Sequence, residues 1–190
     1  MTAIAFDGTG ALTAPWAGEQ RYFRLTIGAL RELDVLLCEP FTLVVERIVQ
    51  GGARFHDIRH IFYHGLVGGG MDRSAAHALC CKEIDAAPLY MLLPLADMAA
   101  VILTAGMSSG PRSADSDEEL PVATGEPKRI GFDTILRFAG AIGIPVPVLN
   151  EMSIWEFEQQ LDGWIKANGV EQKAEPPEPS EERFDEVMRD

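Results

Sequence analysis

The chain has 190 residues, 47% of them hydrophobic and 24% charged, and carries a formal net charge of −13. That much apolar material supports a core and excludes wholesale disorder, while the negative charge disfavours sequence-independent binding to nucleic acid or anionic membranes. The charge is uneven: residues 107–128 carry a net −3 and residues 171–190 a net −5, so 42 residues hold −8 of the total.

The stretch Met1 to Phe6 lacks a basic segment followed by a long apolar one, so no signal peptide is expected. Residues 4–26 read as β-structure. Asp7-Gly8-Thr9-Gly10 and Trp16-Ala17-Gly18-Glu19-Gln20 carry turn chemistry, and Arg21, Phe23 and Leu25 alternate with Tyr22, Arg24 and Thr26. A short hairpin is the expectation.

Helices follow. Thr26 caps a segment Ile27–Leu36, and Pro40 opens Phe41–Val49, which Gly51-Gly52 ends. The third helix, Phe55–Leu66, has Phe55, Ile58, Ile61, Phe62 and Leu66 on one face and closes at Gly68-Gly69-Gly70. Asp72 or Ser74 starts a fourth helix running to about Ile84, and Pro88 opens a fifth reaching Ala105. Ala86 to Gly106 is apolar over a membrane-spanning length, but Pro94 and Asp97 near its middle favour a buried core helix.

Beyond it the composition changes to Ser, Gly, Pro and acids, the mark of a linker over 107–129. A smaller unit over 130–168 has one helical stripe of Phe132, Ile135, Leu136, Ala139 and Ile142, broken at Pro145-Val146-Pro147. Ser153 and Glu156 have capping-box spacing, and Ile154, Phe157, Leu161, Trp164 and Ile165 form a second stripe. Two helices of this size bury too little to stand alone, so the unit docks onto the first domain, a sister copy or a partner. Residues 169–190 read as a disordered acidic tail. The expected class is mainly α: an N-terminal β-hairpin and helical domain over 1–106, the linker, a two-helix unit and the tail.

Reactive constellations are few. His56, His60 and His64 recur at i, i+4, i+8, a metal-compatible spacing, but a helical wheel sets them opposite the apolar stripe, on an exposed face, with Asp57 at its edge. Cys38, Cys80 and Cys81 are an odd count with two adjacent, which fits a reducing cytoplasm better than a disulfide framework. Cys80 and Cys81 with His77 could suggest a nucleophile and base, but an apolar helix raises a thiol pKa, so core packing is favoured. Gly68-Gly69-Gly70 lacks the Lys-Ser/Thr of a phosphate loop and follows a helix; a helix cap and turn is its plain reading. No catalytic residue, metal site or cofactor is assigned, and a metal-dependent or thiol enzyme remains only a minor alternative.

Leu12-Thr13-Ala14-Pro15-Trp16 and Arg21 to Leu33, with Asp57-Ile58-Arg59-His60 and Gly65-Leu66-Val67-Gly68-Gly69-Gly70-Met71, resemble the tail proteins of gene transfer agents and related phages over about residues 10–105. Leu136-Arg137-Phe138-Ala139 and Leu149 to Phe157 are similar to a small helical protein encoded downstream in such clusters, although Val148-Leu149-Asn150 stands where aromatics are usual. The resemblance implies a cytoplasmic tail assembly chaperone, absent from the finished virion. It would self-associate, bind the tape measure protein and recruit the major tail tube protein. Phe132, Leu136, Phe157, Leu161 and Trp164 are then the candidate recruiting surface, unless they only pack the two helices together. The alternative is a structural tail protein retained in the particle.

Overall fold

The computed structural model describes residues 4–107 and 132–168. Three antiparallel strands come first, β1 (Ala5–Phe6), β2 (Ala11–Trp16) and β3 (Glu19–Arg24), in spatial order β1-β2-β3. The expected hairpin is β2–β3, with Leu12 opposite Phe23 and Trp16 opposite Glu19; β1 adds a short third strand. Its turn places Ala17 at φ 53° and Gly18 at φ 79°, the double left-handed geometry that matches strand twist. The Asp7 carboxylate accepts from the Thr9 and Ala11 amides at 2.8 and 3.2 Å and from the Tyr22 hydroxyl at 2.8 Å, tying the first turn to β3.

Five helices follow: α1 (Ile27–Leu37), α2 (Phe41–Val49), α3 (Phe55–Gly68), α4 (Arg73–Cys80) and α5 (Leu92–Gly106); α3 and α5 pack on the sheet, α1 and α4 on α3, and α2 on α5. Caps fix their starts. Thr26 Oγ1 accepts from the Ala29 amide at 3.1 Å, and Asp72 Oδ1 accepts from the Ser74 and Ala75 amides at 2.9 and 3.2 Å. The fourth helix continues as a π-helical turn, Cys81–Asp85, and a 3₁₀ turn, Leu89–Met91, leads into α5.

The core lies between α3, α5 and the sheet. Phe62 of α3 meets Trp16 at 4.8 Å between ring centroids and Phe23 at 5.7 Å, with the latter pair edge-on. The 18 residues Leu89–Gly106 are apolar and long enough to cross a membrane. In the fold Leu95, Ala96, Ala99, Ile102 and Leu103 of this stretch are buried in the same core as α3 and the sheet.

The smaller unit holds three helices rather than two: α6 (Phe132–Ile142), α7 (Val146–Glu151) and α8 (Ile154–Ala167). Pro145 and Pro147 do break the α6 stripe, but prolines are tolerated in a first helical turn, and here they open α7. The linker expected over 107–129, Met107 apart, and the tail over 169–190 lie outside the described residues.

Candidate functional site

Within this single chain the smaller unit packs on the first domain. Ile27 of α1 joins Ile135, Ala139, Leu149, Met152 and Phe157 in one apolar cluster. Around it runs a polar latch drawn from one short segment of the smaller unit. The Ile27 amide donates to the Met152 carbonyl at 2.7 Å, and the Ser153 hydroxyl donates to the Thr9 carbonyl at 2.7 Å. Arg24 donates to the Glu151 carbonyl at 3.1 Å and pairs with the Glu156 carboxylate. Arg31 Nη1 donates to Asn150 Oδ1 at 2.9 Å.

Small residues let the two backbones meet. A Cβ on Gly28 would sit 2.8 Å from the Asn150 carbonyl oxygen, and one on Gly10 would sit 3.0 Å from Ser153 Cβ. Ser153 is also the N-cap of α8, accepting from the Glu156 amide at 3.2 Å while Glu156 Oε2 accepts from the Ser153 amide at 2.7 Å. Ser153→Ala therefore removes a cap and a buried bond to Thr9 together. It should lower stability by about 2 kcal/mol, read as a lower urea midpoint.

The candidate recruiting residues are divided by this arrangement. Phe157 is buried in the cluster around Ile27, and Phe132, Leu136 and Leu161 are partly buried against it. Those four pack the unit. Trp164, 37% exposed on α8, is the member of the set that still faces solvent. A more apolar surface stands elsewhere, at the entry to α5, where Leu89, Tyr90 and Leu93 are 82%, 77% and 68% exposed. The sequence hid this corner because those residues read as part of one continuous buried helix. A groove of about 640 Å³ also runs past α1 and α3, with Val35, Leu36 and Val67 on its apolar side and Glu32 and Arg73 among its charged residues.

The histidine row does not lie on an exposed face throughout. His56 is exposed, His60 is half-buried and His64 is buried, because α1 and α4 also pack on α3 and cover the side opposite its apolar stripe. The ring centroids of His56 and His60 are 4.2 Å apart, and those of His60 and His64 are 6.2 Å apart. His60 Nδ1 and His64 Nε2 are buried and find no hydrogen-bond partner among the described residues, and His64 Nδ1 lies 3.5 Å from a Glu32 carboxylate oxygen. Asp57 does not join His60. It is buried, accepts from the Arg54 amide at 3.0 Å and pairs with Arg47 Nη2 at 2.9 Å. Among the described residues no group of three or more His, Cys, Asp or Glu is placed to hold a metal.

Burial, reinforced by His56, His64 and Arg59 and opposed by Asp57, pushes His60 down to about 4. Burial and Arg73 lower His64 as well, against the pull of Glu32. The unfolded chain takes up these protons near the ordinary value of about 6.5. The contribution of His60 is complete above that value and is lost as pH falls toward 4, on the order of 1 kcal/mol for this half-solvated group, and that of His64 falls with pH in the same direction. Thermal melts from about pH 7.5 to 4.5 should show the fall, and His64→Leu should flatten it.

Cys80 is buried, and burial drives its thiol up to about 11, as packing in an apolar helix requires. Cys81 is partly exposed. Its Sγ lies 3.7 Å from His77 Nδ1 and 3.6 Å from Arg59 Nη2, while Arg59 Nε donates to Asp85 at 2.9 Å. The guanidinium is thus committed chiefly to a carboxylate that ties α3 to the end of the π turn.

A sheet backed by helices, with a second helical unit latched on and an uncovered apolar corner, is built for contact between proteins. The family model described as phage tail tube protein, GTA-gp10, matches residues 9–109, just over half the chain. The chain belongs to that family. It is a phage or gene-transfer-agent tail protein, which places other tail components among its contacts. The match corrects the chaperone reading: it is to a tube protein family, so it supports the structural alternative. Comparisons with curated proteins and with solved structures give no significant match.

Proposed function

We propose that this chain is a structural subunit of the tail tube and stays in the finished particle. The observation that carries the reading is the tube-family match over residues 9–109, which spans nearly the whole sheet and the helices α1 to α5. In this reading the chain is made in the bacterial cytoplasm and catalyses no reaction. Its neighbours are further copies of itself, the major tail tube protein and the tape measure protein. The exposed residues Leu89, Tyr90 and Leu93 suit such a role, since an apolar corner left open on one subunit is removed from water when subunits meet.

Mass spectrometry of purified particles tests the proposal. The chain should be present at a fixed stoichiometry that survives a high-salt wash. Its absence from particles whose other tail proteins are fully represented would overturn the reading.

A further inference from the structure

The latch between the smaller unit and the first domain has three properties that together bear on assembly. First, among the described residues its polar bonds run between Asn150, Glu151, Met152, Ser153 and Glu156 on one side and Thr9, Arg24, Ile27 and Arg31 on the other. Its apolar part is Ile27 seated in the smaller unit's cluster, with Phe132 and Ile154 packed against the core of the first domain, a mixed polar and apolar contact of the kind found between domains. Second, the smaller unit has little core of its own: Ile135, Ala139, Leu149, Met152 and Phe157 are its buried apolar residues, and they close around Ile27. It needs a seat, and any copy of the first domain offers the same one.

Third, the covalent connection is far longer than this seat requires. Met107 at the end of α5 and Phe132 at the start of α6 pack against the same core cluster, yet 24 residues lie between them. Twenty-four residues can span up to about 80 Å when extended, which is long enough to reach the same seat on an adjacent copy. Subunits packed side by side in a polymer hold that second seat at high local concentration.

We propose that the α6–α8 unit is an exchangeable arm: in the assembled state it latches onto the first domain of an adjacent copy through the contacts it makes here within one chain. The occupant of the seat is a second copy of this chain. Passed from each subunit to the next, such an exchange is a head-to-tail contact that need not close on itself, the kind of interface that builds rings and tubes. The role assigned to the arm rests on the tube reading above, whereas the exchange itself is a property of the purified protein.

Complementary charge reversal tests it. In Arg24→Glu the first domain repels its own Glu156, and in Glu156→Arg the arm repels its own Arg24. Each variant alone should lose several degrees of thermal midpoint, and the double variant Arg24→Glu/Glu156→Arg should regain within one chain the part due to charge repulsion, but not the part due to the lost bonds to the Ser153 amide and the Glu151 carbonyl. An equimolar mixture of the two single variants restores opposite charges at both seats only between chains. It should regain the same part of the midpoint as the double variant and sediment at twice the 20.8 kDa chain mass or more. Wild-type chain lacking residues 112–127 keeps eight of the 24 linking residues and should stay monomeric at concentrations where the full chain associates. A mixture that melts and sediments as its two components do separately would overturn the proposal, as would single variants with unchanged midpoints or a shortened chain that associates like the full one. None of these outcomes depends on whether the chain is found in particles.

Discussion

Gly69→Ala should cost about 3 kcal/mol or more and lower the thermal midpoint by about 10 °C. The reason is steric. A Cβ at Gly69 would lie 2.1 Å from the Tyr22 carbonyl oxygen, and one at the preceding Gly68 would lie 2.2 Å from that of Arg24. Both obstacles are backbone of β3 and cannot swing aside as a side chain can. The end of α3 would have to lift from the strand, taking Gly65 and Leu66 away from their contacts in the core. Gly140 and Gly163 provide the contrast. Each lies inside a helix with nothing within 4 Å of an added Cβ, so Gly140→Ala or Gly163→Ala should raise stability by about 0.5–1 kcal/mol. Differential scanning calorimetry of the variants separates the two cases by sign as well as by size.

Arg47→Met is expected to be about as damaging as Gly69→Ala. Arg47 holds the buried Asp57 carboxylate through Nε at 3.2 Å and Nη2 at 2.9 Å, and also pairs with Glu39. Removing the guanidinium leaves a buried charge with the Arg54 amide as its remaining partner in this network, a loss of about 3 kcal/mol or more. Asp57→Asn in the Arg47→Met background should recover part of the loss, because a neutral amide needs less compensation. Guanidinium unfolding of the two single variants and the double variant gives the coupling directly. If the losses simply add, the pair is not the unit described.

Element boundaries were largely legible before the fold was seen. Thr26, Pro40, Asp72 and Ser153 each announce a helix start by local chemistry, and the observed helices begin beside them. The apolar stripe of α3 was also correctly oriented for Ile58, Ile61, Phe62 and Leu66, which are buried, whereas Phe55 in the first turn is exposed. The opposite face was less legible. A helical wheel treats a helix as having one neighbour, but α3 sits among β3, α1, α4 and α5, so the histidine side is covered too. His64 is buried for that reason, and nothing in its spacing could have shown it.

The glycines after α3 make the same point at finer scale. As a cap and turn, Gly68-Gly69-Gly70 is explained by conformation alone, and Gly70 does take a positive φ of 96°. Gly68 and Gly69 are required by an encounter with a strand more than forty residues earlier, which no local rule contains. The functional reading depended likewise on non-local information. A resemblance to known tail proteins implied a tail assembly chaperone, and the family match over residues 9–109 supports a tail protein of the tube family instead.

Charge counting located two acidic stretches, residues 107–128 and 171–190, and hydrophobic periodicity with capping chemistry determined a mainly helical chain with a β-hairpin at its start. Capping and periodicity act over a few residues, so the sequence by itself could place α6 and α8 of the smaller unit but neither α7 nor the seat. Only the tertiary structure put Asn150 to Ser153 against Thr9, Ile27 and Arg31 and closed the apolar cluster around Ile27. Those partners lie more than one hundred residues apart in the chain, and what joins them is complementary shape and hydrogen bonding between surfaces that exist only once both units have folded.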